Sequence, residues 1–222
     1  MLTVLYGATG SGKSRCLRKL DNRCLYIDML NKNHFTMACS RVNTAESFRD
    51  VAKLISETDK DTIVIDDFSI LIYDELNRRC MEKGYDKYSE IAGSVYKFLK
   101  FLRQFSNKHI VLVLPLQFDS FGFNHIALGG SIISEKVPFA MMCDGIYKTE
   151  INEGEYVIRV KSTGNDLVKD FLCQDVDLDV IAGDFMIIVN GVRRILSPSS
   201  PVESSKSSPD DAHVEKVRRV RN

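Results

Sequence analysis

The 222-residue sequence has no net charge, because 30 lysines and arginines are matched by 30 aspartates and glutamates. That balance excludes a polybasic protein whose whole surface grips nucleic acid, although a local basic patch can hide within it. The sequence also lacks any apolar run of the roughly 18 residues that a membrane helix needs, so no membrane association is expected. Its first residues read at once as a strand and a turn, which leaves no room for a leader. The expected location is the cytoplasm. Proline is scarce, and three of the five lie beyond Leu196. The six cysteines (Cys16, Cys24, Cys39, Cys80, Cys143 and Cys173) include no CxxC pair. They read as reduced thiols and not as a disulfide frame or zinc site.

What is present divides the chain in two. Residues 197–222 carry seven serines, three prolines and a basic end, Lys216 to Arg221. Such a segment buries too little apolar surface to offset its chain entropy and is expected to be disordered. Residues 1–196 form the expected working domain. There, short apolar runs at Leu2–Tyr6, Cys24–Asp28, Thr62–Asp66 and His109–Leu116 have the composition of buried parallel strands. Helical patterns alternate with them. One is expected after a Thr44 cap, with Phe48, Val51, Ala52 and Ile55 on one face, and a longer one after Ser89. This alternation predicts an α/β fold, a three-layer sandwich around a mainly parallel sheet. An antiparallel hairpin, Gly145–Glu150 with Tyr156–Lys161, is expected at the sheet edge, and residues 180–195 read as a second one.

The most specific motif is Gly7-Ala8-Thr9-Gly10-Ser11-Gly12-Lys13-Ser14, directly after the first strand. It matches the phosphate-loop pattern GxxxxGK[ST] in the context that pattern requires. Its glycines let successive N–H groups point into a phosphate-sized hollow, and a helix over about Lys13–Leu20 is expected to follow. In this pattern Lys13 reaches the β- and γ-phosphates and the Ser14 hydroxyl ligates Mg²⁺. A second apolar strand, Ile63-Val64-Ile65, ends in Asp66 and Asp67. Asp66 is the expected metal-side carboxylate. Asp67 is either the group that polarises an attacking water or simply an acidic cap.

With these residues in view, the chain resembles the ATPase core of the RecA/RadA recombinases, and most of all the short RecA-like proteins of bacteriophages. Cys24–Asp28 resembles the family's second core strand, and Thr62–Asp67 its metal-binding strand. Leu114–Gln117 resembles the strand that ends in a γ-phosphate-sensing glutamine, here Gln117. Leu128-Gly129-Gly130 with Phe139–Tyr147 resembles the end of the second DNA loop and the strand after it. Val160–Gly164 resembles a turn whose lysine, here Lys161, reaches a neighbouring subunit's nucleotide. The resemblance implies a RecA-like fold, ATP and Mg²⁺ as ligands, single-stranded DNA as partner, self-assembly, and a single-strand-binding protein or helicase as further partners. Two positions depart: Leu30 stands where the family's catalytic glutamate lies, and Thr163 where the interface turn has its second basic residue, which leaves Lys161 alone there. Either Asp67 or Asp28 substitutes, or hydrolysis is slow.

Two segments have the composition of a single-strand interface. Asp74–Tyr88 interleaves Arg78, Arg79, Lys83 and Lys87 with Tyr85 and Tyr88, cations for phosphates beside aromatic faces for bases. The alternative is a solvated helix face. Phe118–Val137 is a long connection carrying Phe118, Phe121 and Phe123, which either stack on bases or tuck into the core or a subunit interface. Neither segment carries the means to read a base edge, so binding without sequence preference is expected. The leading function is a DNA-dependent ATPase that assists recombination by annealing or strand exchange. The alternatives are a nucleotide-dependent binding module or helicase-loader-like regulator with little hydrolysis, and a small-molecule phosphate-loop kinase. The absence of arginine from the long loop weighs against the kinase.

Overall fold

A computed structural model of the chain describes residues 1–31, 37–118, 124–170 and 179–197. Its centre is a mostly parallel sheet. The strands are β1 (Leu2–Gly7), β2 (Cys24–Asp28), β3 (Ser40–Val42), β4 (Thr62–Asp66), β5 (His109–Phe118), β6 (Asn124–Ile126), β7 (Gly145–Asn152), β8 (Glu155–Arg159) and β9 (Val180–Ala182). They lie in the order β3-β2-β4-β5-β1-β7-β8-β9, and β6 folds back on β5. The run from β3 to β7 is parallel, while β8 and β9 close one edge antiparallel. Every residue of β1, β2 and β4 is buried, as strands covered on both faces must be.

Alternation along the strands sorts their side chains into two cores. Val4, Tyr6, Ile63, Ile65, Leu112 and Leu114 face one layer, which is built from α2 (Phe48–Glu57), α3 (Phe68–Arg78) and α4 (Asp86–Leu102). Leu5, Val64, Val111 and Val113 face the other, which contains Leu17 and Leu20 after the phosphate loop and α7 (Met186–Leu196). The result is the expected three-layer α/β sandwich. Among the described residues no helix is long and apolar enough to cross a membrane.

Several local expectations need correction. The cap of α2 is Ser47, which accepts a hydrogen bond from the Asp50 amide while Asp50 accepts from the Ser47 hydroxyl, so this reciprocal pair wins over Thr44. The long helix α4 starts at Asp86, a turn before Ser89. Residues 180–195 do not form a hairpin: β9 pairs with β8, and α7 follows. Its β-branched residues resemble a strand, but Ile188, Val189 and Val192 recur at helical spacing and are buried. Phe139–Tyr147 is not one strand either, because a short helix, α6 (Phe139–Met142), precedes β7. The long connection contains β6 and α5 (Ser131–Lys136). Apart from Ser197, the expected serine-rich tail lies outside the described residues.

His109 begins β5 fully buried, with Nε2 2.9 Å from the Thr3 hydroxyl and no partner for Nδ1 among the described residues. Burial pushes its pKa down to about 3 from the ordinary 6.5. The folded value lies below the unfolded one, so the stabilisation from keeping the ring neutral is complete above pH 6.5 and is lost as pH falls toward 3. Denaturant titrations should therefore show a loss of about 2 kcal/mol between pH 7.5 and 5, and His109→Gln should flatten that slope.

Candidate functional site

Parallel strands deliver their C-terminal ends to one edge, and some of the residues singled out in the sequence lie there. The loop after β1, Asp28 at the end of β2 and Asp66 at the end of β4 share this edge. Asp28 is in register with Asp66, and Gly7 pairs with Pro115 of β5 and Thr149 of β7. Gln117 lies two residues past Pro115, exposed, and opposite His125 in the β5–β6 hairpin.

The glycines of the loop have different reasons to be there. Gly10 and Gly12 have φ of 83° and 94°, the left-handed region that an L side chain rarely adopts. Gly7 is held by packing, because a Cβ there would lie 2.2 Å from Thr149 Oγ1 and 2.5 Å from Ser11 Oγ. Ser11 and Thr149 are joined by a buried hydroxyl–hydroxyl bond of 2.6 Å, which fixes the loop to β7. The helix after the loop, α1 (Lys13–Cys16), is shorter than expected and gives way to turns closed by i→i+3 bonds up to Leu20. Lys13 Nζ donates to the carbonyls of Gly7 (2.7 Å) and Ala8 (2.9 Å), so its ammonium sits over the loop.

Ser14 and Asp66, the two residues assigned to the metal, meet. The Ser14 hydroxyl donates to Asp66 Oδ2 at 3.3 Å, across 52 positions of sequence. The same Oδ2 accepts from the Tyr26 hydroxyl of β2. Burial, reinforced by the Asp66 carboxylate, pushes the Tyr26 phenol far above its ordinary range, so it keeps its proton and donates it to the carboxylate. Hydroxyl and carboxylate are hard oxygen donors, the chemistry that suits Mg²⁺. Among the described residues no group of three or more His, Cys, Asp or Glu is placed to hold a metal by itself. A cation here would complete its shell with phosphate oxygens and water, as Mg²⁺ commonly does.

The other carboxylates of this edge have structural partners. Asp67 caps α3, its Oδ1 accepting from the Ser69 amide (3.0 Å) and hydroxyl (2.6 Å). The peptide joining Asp66 to Asp67 is cis. Asp28, buried, pairs with Arg41 of β3 and accepts from the Leu30 amide at 3.2 Å. Leu30 itself is exposed.

The candidate DNA residues divide. Arg78 is exposed and pairs with Glu75 at 3.2 Å. Arg79 forks between Glu82 and Glu90, with contacts of 2.6 and 2.7 Å. Lys87 donates to the carbonyls of Arg79 (3.1 Å), Cys80 (3.4 Å) and Glu82 (2.8 Å), closing the C-terminal end of α3. Lys83 and Tyr85 project into solvent, Tyr85 at 77% exposure. Phe121 and Phe123 lie outside the described residues, as does the side chain of Phe118. Lys161 is exposed beyond β8 and reaches Asp179 at 3.7 Å.

Three neighbours of the loop escaped the sequence reading: Tyr26, Thr149 and Tyr156. Only Tyr26 left a signal there, as a polar side chain on the same strand face as Asp28. Tyr156 of β8 lies against Gly12, where a Cβ would stand 2.4 Å from its ring, and the Arg15 guanidinium stacks 4.7 Å above the ring centre. Gly12→Ala should therefore cost about 1–2 kcal/mol from the left-handed backbone alone, with a steric cost added. In thermal unfolding, Tyr156→Ala introduced beside it should recover the steric part and leave the backbone part. A Gly12→Ala chain as stable as the wild type would contradict this geometry.

No protein-family model and no curated protein matches this sequence. Among solved structures, the chain is similar to one titled "Crystal structure of the RadB recombinase", with 14% identity and a TM-score of 0.42 over 71% of this chain and 79% of that one.

Proposed function

We propose that this chain is a Mg²⁺-using ATPase that binds single-stranded DNA without sequence preference and assists recombination, by annealing or strand exchange. The observation that carries the nucleotide part is the meeting of the phosphate loop with Asp66 through the Ser14 hydroxyl at 3.3 Å. The loop amides and Lys13 would receive the phosphate oxygens, and Ser14 and Asp66 would hold the cation. Mg²⁺, when bound with the nucleotide, supplies neutralisation of phosphate charge. Gln117, at the end of the neighbouring strand, is the proposed sensor of the terminal phosphate, and Lys161 the residue offered to a neighbouring subunit's nucleotide. Asp67 is the proposed water-polarising group.

The DNA part rests on composition and exposure. Arg78, Lys83 and Tyr85 face solvent at the turn between α3 and α4, and the bonds of Arg79 and Lys87 stiffen that turn. Phe121 and Phe123 are proposed to stack on bases.

A second reading has its own observation. Leu30 offers no carboxylate, Asp28 is tied to Arg41, and Asp67 is tied to Ser69. These commitments favour slow hydrolysis, as in a nucleotide-dependent binding or helicase-loading module.

Hydrolysis of ATP measured with and without single-stranded DNA separates the readings, with Lys13→Ala as control. Stimulation by DNA is the expected result, and Lys13→Ala should weaken ATP binding about 10- to 100-fold, the equivalent of one or two charge-assisted hydrogen bonds. Binding of both ligands with negligible turnover would establish the second reading. Turnover that needs a small acceptor would overturn both. For the DNA face, Arg78→Ala and Lys83→Ala should each reduce the salt dependence of binding by about one unit of slope, on any DNA sequence.

A further inference from the structure

Asp66 is buried at the end of β4, and a buried carboxylate needs donors. Its Oδ2 has two hydroxyl donors of different character, Ser14 from the phosphate loop and Tyr26 from β2. Ser14 is partly exposed and belongs to the loop that would receive the nucleotide. Tyr26 is buried in the core cluster that contains Cys16, Leu17, Leu20 and Val64, so swinging its ring out would cost core packing. A serine that turns to serve a cation must give up Asp66. Among the described residues the tyrosine hydroxyl donates to Asp66.

We infer that Tyr26 is a positioning residue for the metal side of the nucleotide site: its hydroxyl holds the Asp66 carboxylate in place when Ser14 leaves it for the cation. This inference rests on the proposed nucleotide reading and extends it to a residue outside the phosphate-loop and aspartate motifs. The strand register supports it. Tyr26 lies opposite Val64, on the same sheet face as Asp66 two residues further on, and the Met29 amide bonds the Asp66 carbonyl at 2.7 Å. The β2 strand thus grips both the backbone and the side chain of Asp66. Donors that orient a metal-side ligand commonly affect metal affinity by about 10- to 100-fold.

Tyr26→Phe removes one oxygen and keeps the ring. The full-length chain is titrated with N-methylanthraniloyl-ATP in EDTA, and then with Mg²⁺ at fixed nucleotide. The expected result is unchanged nucleotide affinity in EDTA and an increase of about tenfold or more in the Mg²⁺ concentration that gives half-maximal enhancement. In an Asp66→Asn background, Tyr26→Phe should have no further effect on the Mg²⁺ response, because the two residues act through one bond. An unchanged Mg²⁺ midpoint would overturn the inference. So would an equal loss of affinity with and without Mg²⁺, or a Tyr26→Phe chain that does not fold, since either makes Tyr26 a core residue only. Failure of the underlying reading looks different: the wild type itself would bind no nucleotide or gain nothing from Mg²⁺.

Discussion

The Asp66 carboxylate ties the site together. Three segments far apart in sequence meet at its Oδ2: β4, which carries it, the phosphate loop through Ser14, and β2 through Tyr26. A charge buried at a strand end is tolerated only with such donors, and leaving it unpaired would cost several kcal/mol. The requirement acts in both directions. The carboxylate needs the hydroxyls, and meeting that need aligns the loop after β1 with the end of β4, although β5 lies between those strands. A cation held at this edge, as proposed, would depend on that alignment.

The β7–β8 hairpin does comparable work from the other side. Thr149 bonds Ser11 and fills the space a side chain at Gly7 would need, while Tyr156 covers Gly12. Beyond them, Lys148 and Arg159 share Glu150 and the fully enclosed Asp166 carboxylate. Asp166 also accepts from the Thr163 amide and Ser162 hydroxyl. The turn that follows Lys161 is thereby anchored to the sheet next to the loop. Oppositely charged groups with little solvent around them hold a geometry even where their net contribution to stability is small.

Much of this was legible because its physics is local. Cys24–Asp28 and Thr62–Asp66 are continuous apolar runs, and both strands have those bounds. The β7–β8 hairpin was legible partly through Gly154, whose φ of 84° lies in the left-handed region that favours glycine. Long-range packing decided the rest. Nothing near Gly7 in sequence reveals that Thr149 will press on it, and a tyrosine in a buried strand carries no label for the carboxylate it meets. The helix α7 was misread because β-branched residues satisfy strand composition while their burial follows helical spacing. The charge pattern shows the cations but not their partners: four cations near one turn suggest a common surface, and within it Arg79 and Lys87 also spend hydrogen bonds on the turn itself.

The proposed nucleotide site at this sheet edge would have its cation held by Ser14 and Asp66. Thermal unfolding of the full chain with ADP, with and without Mg²⁺, tests it most directly, because a ligand that binds only the folded state stabilises it according to its affinity. The account requires a rise in melting temperature with ADP, a larger rise with ADP and Mg²⁺ together, and loss of the Mg²⁺-dependent part in Ser14→Ala. A melting temperature indifferent to nucleotide, or a Mg²⁺ response that survives Ser14→Ala unchanged, would contradict it.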